Sequence, residues 1–140
     1  MTTTAATSTH PGVTDLHTLL AGLNPRLHPM PRRFLFVSHD KAAARMAEAL
    51  MMFREDEGVT LIVDHDLEGP ELVADRLLWA QITLGVESSL DAVGMMAAVS
   101  AALAARGISC NPVSAFLHDH VFVPWDRRED ALDALAHLSA

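Results

Sequence analysis

The chain has 140 residues, 50% of them hydrophobic, with ten basic and eighteen acidic side chains and a formal charge of −8. That length allows one domain with a sizeable core or two very small ones, and the apolar content excludes a largely disordered chain. The acidic balance excludes a broad electrostatic grip on nucleic acid or an anionic membrane, while a local helix terminus can still attract a small anion.

Cys110 is the only cysteine, so no intrachain disulfide and no cysteine-rich zinc site can form. The opening MTTTAATSTHPG has no basic segment leading into an apolar run, and residues 1–12 read as a disordered tail rather than a secretory signal. No stretch approaches the roughly 18 apolar residues of a membrane span, so a soluble cytoplasmic protein is the expectation. The glycines form neither a dinucleotide fingerprint nor a phosphate-cradling loop, and no cofactor is expected.

TDLHTLLA at 14–21 is a short helical pattern, with Leu16, Leu19 and Leu20 on one side and Thr14 placed as N-cap. GLNPRLHPMP breaks any regular element, and RFLFVS at 33–38 reads as a strand. Residues 40–52 read as a helix because Ala43, Met46, Ala47, Leu50 and Met51 recur at three- and four-residue spacing. EDEG makes a turn before VTLIV at 59–63, a second strand, and DHDLEGPEL is a polar connection.

WAQITLGV at 79–86 is a strand. Ser88 or Ser89 then caps a helix expected to begin near Leu90, with Asp91 favouring its positive end. Val93, Met96, Ala97, Ser100, Ala101 and Ala104 make a small-residue stripe for close packing, and Gly107 stops the helix. ISCNPVSAF and HDHVFVPW read as two strands, and residues 126–138 as a helix presenting Ala131, Leu132, Leu135 and Leu138. The order β–α–β–β–α from residue 79 onward places two helices on one face of an antiparallel sheet. The first half offers about two strands and two short helices, a reduced copy of that unit without obvious sequence identity to it.

HDHVFVP at 118–124 is the densest polar motif. On a regular strand His118 and His120 share one face and Asp119 takes the other, so the three do not readily ligate one metal. Two histidines need a further ligand from elsewhere, for which His39, Asp40, Asp64, His65 and Asp66 are available in principle. A structural role, a ligand-pocket role and metal binding all stay open for the histidines, with no metal as the leading expectation. Cys110 could act as a nucleophile only with a base such as His118 beside it, and its apolar flanks favour a small core residue. Glu55, Asp56 and Glu57 beside Arg54 lack the spacing of a calcium loop and read as a solvated turn. Trp79 and Trp125, at the outer ends of strand patterns, suit either a subunit contact or the local core.

The stretch from Trp79 to Leu135, WAQITLGVESSLDAVGMMAAVSAALAARGISCNPVSAFLHDHVFVPWDRREDALDAL, resembles the ACT domain, a small regulatory βαββαβ module of amino-acid metabolism. With GLNPRLHP at 22–29 and FREDEGVTLIV at 53–63, the whole chain resembles an uncharacterised bacterial family with two ACT-like units. The resemblance implies an α+β, ferredoxin-like fold, with helices on one face of an antiparallel sheet. It divides the chain into a reduced N-terminal unit over 13–76 and a C-terminal unit over 77–140. No residues remain after Leu138 for the closing strand of the second unit, which leaves the first half or a partner to supply it.

The resemblance further implies a non-catalytic regulatory protein that forms a homodimer and binds a small effector, an amino acid first, near the loop GVESSLDAVG at 85–94. Ser88 and Ser89 would receive the effector carboxylate if they are not simply caps, Glu87 would meet its ammonium group, and Leu90 lies beside them. Asn111 adds an orienting amide or is merely a turn residue before Pro112, and His118 and His120 complete the candidate ligand set. Two other classes stay open. One is a small metal- or histidine-dependent enzyme using His118, Asp119 and His120; the other is a ligand-free dimeric interaction protein.

Overall fold

The computed structural model describes residues 12–67, 73–74 and 77–139, so the tail expected over 1–12 lies outside the described residues except for Gly12. The strands are β1 (Pro25–Leu27), β2 (Arg32–Val37), β3 (Ala49–Arg54), β4 (Val59–Asp64), β5 (Val73–Ala74), β6 (Trp79–Leu84), β7 (Asn111–Ser114) and β8 (Asp119–Pro124). The helices are α1 (Leu16–Ala21), α2 (Met95–Ala104) and α3 (Arg128–Ala136), with shorter 3-10 segments at Ala42–Glu48, Trp125–Arg127 and His137–Ser139.

All strands join one antiparallel sheet in the order β3-β4-β2-β6-β8-β7, with β1 also paired to β6 and β5 to β2. Two units of the same plan meet where Arg32 pairs with Trp79. In the first, β2 pairs β4 from Arg32–Asp64 to Val37–Val59, β4 pairs β3, and β5 lies on the free edge of β2. In the second, β6 pairs β8 from Trp79–Pro124 to Thr83–His120, β8 pairs β7, and β1 lies on the free edge of β6. The strand that closes the second unit on this edge is β1, supplied from the first half. Even the hairpin turns correspond: Glu55 N–H donates to Gly58 O at 2.7 Å, and Ala115 N–H to His118 O at 3.0 Å.

Strand alternation gives the sheet two unlike faces. One carries Ala80, Ile82, Leu84, Val121 and Val123, covered by Leu19, Val99, Leu103, Ala131 and Leu135 of the three helices. The same face continues through Leu35, Val37, Val59, Leu61 and Val63, where the 3-10 segment contributes Ala42. The opposite, concave face gathers Ile62, Trp79 and Phe122 with Phe34, Met51 and Val113. Phe34 stands edge-on to both Trp79 and Phe122, with centroids 5.6 Å apart in each pair. Trp79 is thus a core residue, whereas Trp125 is half-buried under the Arg128 guanidinium, 4.1 Å from its ring centre.

Several sequence expectations are corrected, beginning with GLNPRLHPMP, read as breaking any regular element, where Pro25–Leu27 forms β1 because β6 offers it an edge to pair with. The helix read over 40–52 is a 3-10 segment ending at Glu48, and Leu50 and Met51 belong to β3. Its Met and Ala spacing satisfies a helical period, but residues from Ala49 onward instead give their backbone hydrogen bonds to β4. The second helix starts at Met95 rather than near Leu90, so Ser88 and Ser89 do not cap it. Its buried side is Met95, Val99 and Leu103, not the small-residue stripe, and Val93 is 82% exposed outside the helix. At the first helix the cap is Asp15 rather than Thr14, its carboxylate accepting from Thr18 N–H at 2.9 Å and Thr18 Oγ1 at 2.7 Å.

Candidate functional site

The loop between β6 and α2 is fastened at its start. Ser88 N–H donates to Leu117 O at 3.2 Å and Ser89 N–H to Val13 O at 3.0 Å. Both serines are consequently buried, and their hydroxyls turn to carboxylates: Ser88 Oγ donates to Asp119 Oδ2 at 3.5 Å, and Ser89 Oγ to Asp91. These bonds, all but Ser89–Asp91 to residues distant in sequence, explain why two strong capping residues lie six and seven positions ahead of the helix they are expected to begin.

Helix α2 is instead entered through Gly94, at φ +100°, a conformation that strains any residue with a Cβ. Gly94 provides no side-chain acceptor, so the N–H groups of the first turn have no cap. This first turn borders a cavity of about 240 Å³ lined by Ser88, Ser89, Leu90, Gly94, Met95 and Asp119, among others. Met96 and Ala97 complete the helix side of this cavity, and Ser114 and Ala115 the β7 side. Asp119, the first residue of β8, is 9% exposed. Its neighbours in the strand's alternation, Val121 and Val123, lie in the helix-face core, which is why its carboxylate points under the loop.

The cavity joins a positive helix end to a buried carboxylate. Partial positive charge from unpaired N–H groups favours an anion, and Asp119 favours a cation or N–H donors. A small molecule carrying both charges a few bonds apart meets both demands.

Of the residues singled out in the sequence, Ser88, Ser89 and Leu90 line this cavity. Glu87 is exposed, and Asn111 is exposed at the outer strand β7, paired with Phe122. His118 is half-buried in the β7–β8 turn. His120 belongs to the other face, where its Nδ1 lies 2.9 Å from Thr83 Oγ1 beside a second cavity. Burial, then the neighbouring His118, lowers the His120 pKa from its ordinary value, with Asp119 opposing. The strand thus separates His120 from Asp119, and no three His, Cys, Asp or Glu side chains gather as a metal-binding group among the described residues. Cys110 is half-buried, and burial pushes its thiol pKa up, away from the reactive thiolate.

The residues missed in sequence are Asp119 as a pocket group and the Gly94–Ala97 entry of α2. A signal for the first existed: period-2 alternation already opposed Asp119 to the histidines. The second had none, because the serines carried the stronger capping signature.

Among known proteins, ACT-domain family models match residues 11–67 and 78–137. A Vibrio cholerae protein of unknown function, described as a possible transport protein, is 33% identical, with 89% of this chain and 96% of that one covered and a TM-score of 0.78. A protein from Agrobacterium tumefaciens aligns over 79% of this chain and 84% of its own at 22% identity and a TM-score of 0.64. The ligand-free regulatory subunit of aspartate kinase from Thermus thermophilus aligns over 84% of this chain and 97% of its own, with 14% identity and a TM-score of 0.65. The last two likenesses concern the fold alone. No functionally curated protein matches the chain. Among the described residues no helix is long and apolar enough to cross a membrane.

Proposed function

The chain belongs to the ACT-domain family, with two such domains in tandem, and from that premise we propose that it is a non-catalytic regulatory protein binding a free amino acid under the 85–94 loop. The carrying observation is Asp119, a buried carboxylate in the cavity that the uncapped end of α2 borders. In this reading the backbone N–H groups of Met95, Met96 and Ala97 receive the effector carboxylate, and Asp119 receives its ammonium group. Asp119 takes the part the sequence assigned to Glu87, and Ser88 holds the Asp119 carboxylate in place. Leu90 and Met96 border the space left for the effector's side chain.

Binding alters the loop, which is tied to Val13, and the β7–β8 turn, which is tied to Ser88, so occupancy is transmitted to both. The output passes to a second copy of the chain in a homodimer. The outer strands β3 and β7 support this, since exposed Leu50 and Phe53 lie on the first and exposed Phe116 and Leu117 follow the second. Calorimetry with each protein amino acid in turn tests the proposal. Saturable heat with one or a few of them is expected, and no saturable heat from demonstrably folded protein would sink it.

A further inference from the structure

On the concave face, a line of polar side chains crosses the seam between the two units. Arg32, itself 9% exposed, pairs with Asp64, and its Nε donates to Gln81 Oε1 at 3.0 Å. Gln81 Nε2 in turn donates to Thr83 Oγ1 at 3.4 Å, and Thr83 Oγ1 lies 2.9 Å from His120 Nδ1. Arginine is an obligatory donor, and this fixes the direction of both Gln81 bonds. Gln81 must accept with its oxygen and donate with its nitrogen. Thr83 accepts that bond, and its hydroxyl is free to give its own proton to His120 Nδ1. In that tautomer neutral His120 carries its proton on Nε2, and protonated His120 carries one there as well. Nε2–H is a donor in either state.

His120 and Gln81 border a half-enclosed cavity of about 190 Å³ whose other walls include Leu50, Met51, Val113 and Phe122. This cavity and the one holding Asp119 lie on opposite faces of β8 and share only Ala115. No fixed charge lines it, since the Arg32 guanidinium is held by Asp64 and Gln81. The Gln81 amide is likewise committed at both ends, leaving the ring N–H as the polar group still to be matched. Apolar cavities of about 150 Å³ hold a molecule the size of benzene.

We propose that the concave face holds a second small-molecule site, distinct from the amino-acid site, for a compact uncharged and mainly apolar compound with one carbonyl acceptor. The ring or branched body of such a compound fills the space between Met51, Val113 and Phe122, and its carbonyl oxygen accepts from His120 Nε2–H. A charged ligand is disfavoured because nothing there would compensate its desolvation. The proposal does not depend on the amino-acid reading.

Fluorine NMR titration of the full chain with 4-fluoroacetophenone tests it, with 1-ethyl-4-fluorobenzene as the same shape lacking the acceptor. The ketone should show a saturable shift and bind about fivefold more tightly, the share of one neutral hydrogen bond. His120→Phe should keep the binding and erase that preference, a result that a purely structural histidine would not produce. Filling the cavity with Val113→Trp, or with Leu50→Trp should the first variant fail to fold, should abolish binding of both probes. The proposal is overturned by the absence of a saturable shift with folded wild-type protein, by binding that survives the filled variants, or by a preference unchanged in His120→Phe.

Discussion

The two halves of this molecule share one strand plan and differ in what they hang on it. Aligning Arg32 of β2 with Trp79 of β6 brings Asp64 to Pro124, Thr60 to His120 and Val59 to Asp119 through the two ladders. In the N-terminal unit the chain passes from β2 through Ser38–Lys41 directly into a 3-10 segment, and Val59 is packed into the core beneath it. In the C-terminal unit a ten-residue stretch from Gly85 to Gly94 precedes a full helix, and Asp119 lies in the cavity thus opened. Topology alone does not make a site. A long loop, an uncapped helix end and one carboxylate at a strand start together open the proposed effector cavity, and one unit of the chain has all three.

That contrast can be broken from either side. Exchanging Val59 for Asp puts a carboxylate at the equivalent strand position without a serine hydroxyl or a cavity. We expect a loss of about 3 kcal/mol or more in denaturant unfolding, the cost of an uncompensated buried charge. The reverse change, Asp119→Val, should alter stability by no more than about 1 kcal/mol, because the carboxylate has only a long bond from Ser88 to lose. It should nevertheless abolish effector binding. The milder Asp119→Asn keeps the shape and removes the charge, and should weaken the effector about 10- to 100-fold by calorimetry.

Smaller effects sharpen the edges of the comparison. Arg128→Ala removes the guanidinium from Trp125 in the C-terminal unit, and about 0.5–1 kcal/mol of stability should go with it. His120 gives the smallest effect and a definite sign. Burial lowers its pKa in the folded chain below the ordinary 6.5, so the unfolded chain binds the proton more readily. Its contribution to stability is intact above that ordinary value and is lost as pH falls from there toward the lowered one. Unfolding followed between about pH 7 and 5 should show this acid loss in the wild type and a shallower one in His120→Gln.

Much of this arrangement was legible in the sequence, where local pattern and tertiary packing agree. RFLFVS, VTLIV, WAQITLGV and HDHVFVPW were readable as strands because alternating or continuous apolar residues there are also what the sheet buries. The opposition of Asp119 to His120 followed from strand geometry alone. The failures occurred where a local signal was used for something else. Ser88 and Ser89 look like helix caps but fasten a loop to Leu117 and Val13, distant neighbours that only the fold supplies. The Met and Ala spacing over 40–52 fits a helix, yet β4 offered a pairing edge that no local pattern reveals. Asp119 likewise reaches the loop from another strand, a neighbour of Ser88 that no local pattern reveals.

The most direct test of the account is amide NMR of the folded wild-type chain titrated with free amino acids, repeated on Asp119→Asn. The account predicts saturable shifts concentrated at Ser88, Ser89, Met95, Met96, Ala97 and Asp119, which the variant loses at the same concentrations. Saturable shifts confined to the N-terminal unit, shifts unchanged in Asp119→Asn, or no response to any amino acid would contradict it.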